Sequence, residues 1–214
     1  MKRVVVPFVT MKARFVFLIV LFMIVSVSAS AQFYEKMFFV GWNVNTPLVN
    51  KDFASKSSSH GARIGYRQLI RERIAVGVDV TWATYDGYTP RQTYYNPSGA
   101  MTTDFVNYAN NYGALLTGDY YFFKEKKVMP YVGLGAGVAY NHYMVYYNVY
   151  SGGDKAFGFM ARPQAGVWIK AGERRNWGIN AGVHYDFSTA KSKDFGYKNF
   201  MNVGFELGIV FLQW

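Results

Sequence analysis

The chain has 214 residues, 51% of them hydrophobic, and a formal charge of +10. It has no cysteine, which excludes a disulfide framework and any Cys-based metal site. A basic balance can indicate nucleic acid, but there is no compact basic motif with interleaved recognition residues, so nucleic-acid binding is not expected.

In chain order, the cations Lys12 and Arg14 precede the apolar run Phe15–Val25, and then come small residues ending in Ala29-Ser30-Ala31. That order predicts a signal peptide over residues 1–31, cleaved after Ala31, with residues 32–214 as the mature domain. The apolar core is about 11–13 residues, short of the roughly 20 a membrane-spanning helix needs. By the same pattern Met11 serves as a start as well as Met1. Past residue 32 no apolar run approaches that length, so any membrane crossing must be made by strands.

Eight segments then alternate with a period of two. Phe38, Val40, Trp42 and Val44 oppose Gly41, Asn43 and Asn45. Ala62, Ile64 and Tyr66 oppose Arg63, Gly65 and Arg67. From Ile74 to Tyr85, Ile74, Val76, Val78, Val80 and Trp82 share one face, with Gly77, Asp79 and Thr81 on the other. Ala114, Leu116, Tyr120 and Phe122 oppose Gly113, Thr117, Asp119 and Tyr121. Val132, Leu134, Ala136 and Val138 oppose Gly133, Gly135 and Gly137. Phe157 to Lys170 sets Phe159, Ala161, Ala165, Val167 and Ile169 against Met160, Arg162, Gln164, Gly166 and Trp168. Trp177, Ile179, Val183 and Tyr185 oppose Gly178, Asn180, His184 and Asp186. Last, Met201, Val203, Phe205, Leu207 and Ile209 oppose Asn202, Gly204, Glu206 and Gly208.

The polar face carries glycines and ionic groups together, while the apolar face is almost free of charge. In water that apolar face would be an exposed band far larger than soluble monomers tolerate, whereas in lipid it is the required surface. The pattern predicts an all-β fold, an eight-stranded antiparallel up-and-down transmembrane β-barrel. Connections alternate between short (Gln68–Arg73, Lys124–Lys127, Ala171–Asn176) and long (Pro47–Ser59, Asp86–Asp104, Asn148–Lys155, Ser188–Asn199), as expected for inner turns and outer loops. The 18 Tyr, 18 Phe and 5 Trp would supply aromatic girdles at both interfaces.

With leader, alternation, the segment Met129-Pro130-Tyr131-Val132-Gly133-Leu134-Gly135-Ala136-Gly137 and a C-terminal aromatic, residues 37–214 resemble the small outer-membrane barrels: the OmpA transmembrane domain, OmpX and OmpW. The resemblance implies an outer-membrane location, contact with outer-membrane lipid and lipopolysaccharide, and an extracellular protein or host ligand as partner. It implies that Trp214 is an assembly signal read by the barrel-assembly machinery. Trp214 is out of phase with the last strand, which calls for a bulge near Leu212 or fraying of the end.

The candidate interior residues are Arg63, Arg67, Asp79, Asp119, Arg162, His184, Asp186 and Glu206. Opposite charges in a narrow lumen are expected to pair into a plug, because eight strands leave little room beyond their own side chains. A narrow channel for small or apolar solutes is the alternative. His184 and Asp186 lie two apart on the inward face. The lipid A deacylases use a His-x-Ser pair, and here Asp186 stands where that serine would be, so no catalytic residues, cofactor or metal are expected. Tyr143, Tyr146, Tyr147 and Tyr150 mark strands long enough to protrude beyond the bilayer and offer a surface for interaction.

Overall fold

A computed structural model describes residues 36–97, 99–123, 126–171 and 176–213. The predicted leader and Trp214 lie outside these residues.

The strands are β1 (Lys36–Pro47), β2 (Ser58–Arg71), β3 (Ile74–Asn96), β4 (Gly99–Tyr121), β5 (Val128–Tyr147), β6 (Tyr150–Ala171), β7 (Trp177–Ser188) and β8 (Phe200–Gln213). Each pairs antiparallel with its sequence neighbours, and β1 closes on β8. Closure leaves no sheet edge along the barrel, so its backbone groups are satisfied without water.

The registers fix the barrel's geometry. Paired residues run from Phe38 through Tyr66, Val78, Leu116, Ala136, Ala161 and Phe187 to Met201, whose carbonyl accepts from the Leu48 amide. One circuit therefore returns to β1 about ten residues further along, which for eight strands sets a tilt of ~40°.

Side-chain direction follows the alternation throughout. Val76, Val183 and Leu207 face outward and are exposed, while Arg162 and Glu206 face inward and are buried. The outward surface is a band of Val, Ile, Leu and Ala bounded by aromatic residues. Phe38, Tyr120, Phe122, Trp177 and Phe211 lie at the end with the short turns. Trp82, Tyr112, Tyr140 and Phe157 lie toward the other end, as direct cross-strand neighbours. Along β4, Tyr112 and Phe122 are separated by about 33 Å of strand, or ~25 Å along the axis at this tilt, the height of a membrane barrel's apolar band.

Two expected connections differ. Asp86–Asp104 is not a loop: Asp86 pairs with Tyr108 and the ladder continues, past a register shift between Thr89 and Gln92, to Asn96 opposite Gly99. Asn148–Lys155 shrinks to a two-residue turn between Tyr147 and Tyr150, with Asn148 at φ 51°. Both stretches mix Tyr, Asn, Gly and hydroxyl residues, because neither face meets hydrocarbon there, so the alternation that marks the barrel is lost. β3 to β6 thus rise as a four-stranded sheet above the barrel, and the β3–β4 hairpin extends past Trp82 and Tyr112 by about 43 Å of strand, ~30 Å along the axis at this tilt. Of the two alternatives for the phase of Trp214, a bulge or a frayed end, no bulge is seen among the described residues: Leu212 pairs with Met37 and Gln213 with Lys36 with no shift in register.

Candidate functional site

The interior is stacked in layers. At mid-height Arg63 bridges Asp79 (Nη2–Oδ2 2.6 Å) and Glu206 (Nη1–Oε2 2.7 Å). Arg67 bridges Asp79 (2.7 Å) and Asp119 (2.5 Å). Neutral donors complete the carboxylates: Gln164 Nε2 donates to Asp119 at 2.6 Å, and Asn180 Nδ2 to Glu206 at 2.9 Å. Tyr131 OH reaches Glu206 from across the lumen at 3.4 Å. This one network joins β2, β3, β4, β5, β6, β7 and β8. The glycines opposite make room for it: a Cβ at Gly133 would lie 1.8 Å from Asp119 Oδ1, and one at Gly65 would lie 2.3 Å from Asp79 Oδ1.

A second pair lies nearer the outer mouth. Arg162 holds Asp186 with two bonds, 2.5 and 2.6 Å. His184 Nε2 lies 2.9 Å from Asn45 Oδ1 and 3.8 Å from Asp186. Buried atoms here, among them Thr81 Oγ1, Arg162 Nη1 and His184 Nδ1, have no protein partner, so this half is polar enough to hold water. All eight interior candidates are therefore buried, in two groups rather than one.

Below the network the lumen is apolar, where a polar interior was expected. Met37, Leu69, Met129, Tyr121, Trp168 and Leu212 pack into one buried cluster. Lys170 is buried beside it, its Nζ 5.4 Å from the Trp168 ring. Between cluster and network is a cavity of about 30 Å3 lined by Phe39, Arg63, Tyr131 and Glu206 among others, room for a water or two. Inward parity alone could not separate this dry end from the ionic middle, since both alternate with the same outward face.

The outer mouth is covered by the loops after β1 and β7. Phe53 packs on Tyr143 (5.4 Å between ring centroids), Phe195 (4.9 Å) and Tyr197 (6.0 Å). Asn50 Nδ2 donates to the Asn199 carbonyl at 2.8 Å, tying the loops together. Asp154 of β6 holds the second loop, accepting from the Ser192 hydroxyl (2.6 Å) and the amides of Lys193 (2.9 Å) and Asp194 (3.3 Å). These donors hold its carboxyl below the usual carboxylate range. The loops also cover the lower edges of the protruding sheet. Gly87 of β3 lies against the Phe53 carbonyl, and the Thr189 amide donates to the Phe159 carbonyl of β6 at 2.9 Å. Phe53, Phe195 and Tyr197 lie in stretches without periodicity and carried no sequence signal.

Tyr143 is therefore not a surface residue. It points inward under Phe53 and is 1% exposed. Tyr146 and Tyr150 are exposed, and Tyr147 is half-buried with its ring stacked on Tyr150 at 5.7 Å. Among the described residues no group of His, Asp and Glu is placed to hold a metal ion.

A closed, tilted eight-stranded barrel with a hydrocarbon-facing band and a buried ionic interior is an outer-membrane β-barrel. A solved structure has the same fold. Ail, the attachment invasion locus protein of Yersinia pestis, solved in complex with the heparin analogue sucrose octasulfate, matches with TM-score 0.51 and 12% identity over 85% of this chain and 100% of its own. Neisserial surface protein A matches with TM-score 0.48 and 18% identity over 83% of this chain and 96% of its own. No family model matches, and no curated protein matches in sequence.

Proposed function

We propose that the chain is a non-conducting outer-membrane anchor that presents the β3–β6 sheet and the two mouth loops to an extracellular protein or host ligand. The observation that carries this is the ion network spanning seven strands. Any path through the barrel must break Arg63–Glu206 or Arg67–Asp119, buried pairs whose separation leaves charges uncompensated. The apolar layer beneath and the aromatic cover above add two further closures. An interaction role fits the sheet, which reaches far beyond the bilayer and exposes Tyr95, Tyr146 and Tyr150. Above Ala83 the β3 edge has no β2 partner, so a partner strand can add to it beyond the loops. In this reading the protein is not an enzyme: His184 is buried against Asn45 with no route for a lipid substrate. Lipopolysaccharide surrounds the band, and the barrel-assembly machinery inserts the chain using Trp214.

Planar-bilayer recording tests the closed lumen. The folded protein should give no discrete conductance steps. Steady steps that disappear in Arg162→Ala or Glu206→Ala would establish the narrow channel instead. Binding of the partner should be lost when the turn-proximal part of the β3–β4 hairpin is removed while the barrel stays folded.

A further inference from the structure

The outward face of the sheet just above the upper aromatic belt concentrates positive charge around one exposed ring. His142 and Lys155 are cross-strand partners, one outward position further from the bilayer centre than the pair Tyr140 and Phe157. Phe157 is 77% exposed, with its ring 4.6 Å from that of Tyr140. The His142 ring stacks on Tyr140 at 6.4 Å. On the other side the loop after β7 runs along β6: the Ala190 backbone lies against Gly158, and Ser192 bonds Asp154. Lys191, between buried Ala190 and Ser192, is exposed on the stretch of that loop running from Gly158 to Asp154. The carboxylate next to Lys155, Asp154, is turned inward and taken up by Ser192 and three backbone amides. Of the outward carboxylates of this sheet, Asp86 pairs with Tyr108, which pairs with Met144, so it lies two strands from β5. Asp104, bonded by Tyr88, lies on β4 beyond Val106 and its partner Tyr146, further from the bilayer. Asp194 is exposed in the loop beyond Lys191 and Lys193.

We propose that Lys155, Lys191 and His142, set around Phe157, form a docking site for the phosphorylated headgroup of an outer-leaflet lipid. The inference rests on the reading of the chain as an outer-membrane barrel. The site is continuous with the lipid-facing band, so an occupant here is already a neighbour in the bilayer. The aromatic pair below marks the level where chains give way to headgroups. The charge at that level is positive, complementary to phosphate, and the exposed ring offers an apolar face to the lipid's sugar or upper chain. Each lysine near an anionic membrane surface contributes about fivefold in affinity.

The full barrel is placed in phosphatidylethanolamine nanodiscs with either diphosphoryl lipid A or the same lipid with its phosphates removed, and the lipid A retained on release into mild detergent is counted by native mass spectrometry. The diphosphoryl form should be retained and the dephosphorylated form lost. Lys155→Ala should lower retention roughly fivefold and the double variant with Lys191→Ala about thirtyfold, with Lys155→Arg restoring it. All variants should keep the gel shift between heated and unheated samples that reports a folded barrel. Equal retention of both lipids, or unchanged retention in the double variant with the gel shift intact, overturns the site. So does capture of soluble polyglutamate without preference for the diphosphoryl lipid, which would make the occupant an acidic protein. A wild-type chain that stays soluble without detergent sinks the barrel reading itself, a distinguishable failure.

Discussion

Replacing Glu206 with alanine removes the carboxylate on which Arg63, Asn180 and Tyr131 converge. Arg63 keeps Asp79, which it shares with Arg67, and two arginines then face two carboxylates; the cost falls on the Arg63 Nη1 side of the guanidinium, buried with its acceptor gone. Two magnitudes compete. If the lumen is dry and closed, breaking this buried pair costs about 3–5 kcal/mol, because the charge left behind cannot recover its hydration. If the lumen is a water-filled conduit, the pair behaves like an exposed one and its loss costs about 0–1 kcal/mol. Reversible denaturant unfolding in lipid vesicles, followed by tryptophan fluorescence, separates these values. The double variant Arg63→Met/Glu206→Met should lie well below the sum of the single changes, since removing both charges leaves neither stranded. A Glu206→Ala loss under about 1 kcal/mol, with the double variant additive, would refute a plugged lumen.

Arginine at Leu134, mid-band and 59% exposed, should cost about 2–4 kcal/mol by the same unfolding assay, whereas arginine at Tyr146 should be close to neutral. Gly137→Ala should destabilise by about 1–3 kcal/mol, because the new methyl would lie 2.0 Å from the Ala114 carbonyl oxygen, backbone that cannot step aside; wild-type stability would show the β4–β5 approach to be looser. Asp154→Ala should free the loop after β7, read as faster trypsin cleavage after Lys191 or Lys193 with the barrel core intact. The Asp154 tether also has a definite pH sign. Its carboxyl is held low when folded, so the tether is fully present above the ordinary carboxylate range and is lost as pH falls through the lowered value. Hydrogen exchange at the Lys193 and Asp194 amides, corrected for intrinsic rates, should stay slow at neutral pH and rise only below the ordinary carboxylate range.

Fold and face assignment were readable in the sequence wherever lipid meets one side of a strand, because hydrocarbon forces Val76, Leu134 or Val183 outward and leaves Asp79, Gly133 or His184 for the interior. The same rule fails above the bilayer. There Tyr85 and Tyr143 point inward beneath the loops while Tyr88 and Tyr146 point into solvent, and a tyrosine suits both settings. Alternation puts the eight interior candidates, seven of them acids or arginines and the eighth His184, on one face. Their division into a shared network around Arg63 and Arg67 and a separate Arg162–Asp186 pair depends on strand stagger, which no single strand records. Asn45, Tyr131, Gln164 and Asn180 had the right parity but carry no charge to single them out. The apolar layer at Met37, Leu69 and Trp168 escaped notice for the opposite reason, since large apolar residues on the inward face conflict with a polar lumen.

The β3–β4 ladder, which runs to Asn96 with one register shift between Thr89 and Gln92, has a mechanical consequence. A load applied near Pro97, at the far end of the hairpin, passes down both strands into the wall, where β2 flanks β3 and β5 flanks β4. Pulled along their length, these ladders resist by shearing many hydrogen bonds at once rather than peeling one after another. In the proposed interaction role, a pull on this tip would be borne by the barrel wall itself rather than by a hinged loop.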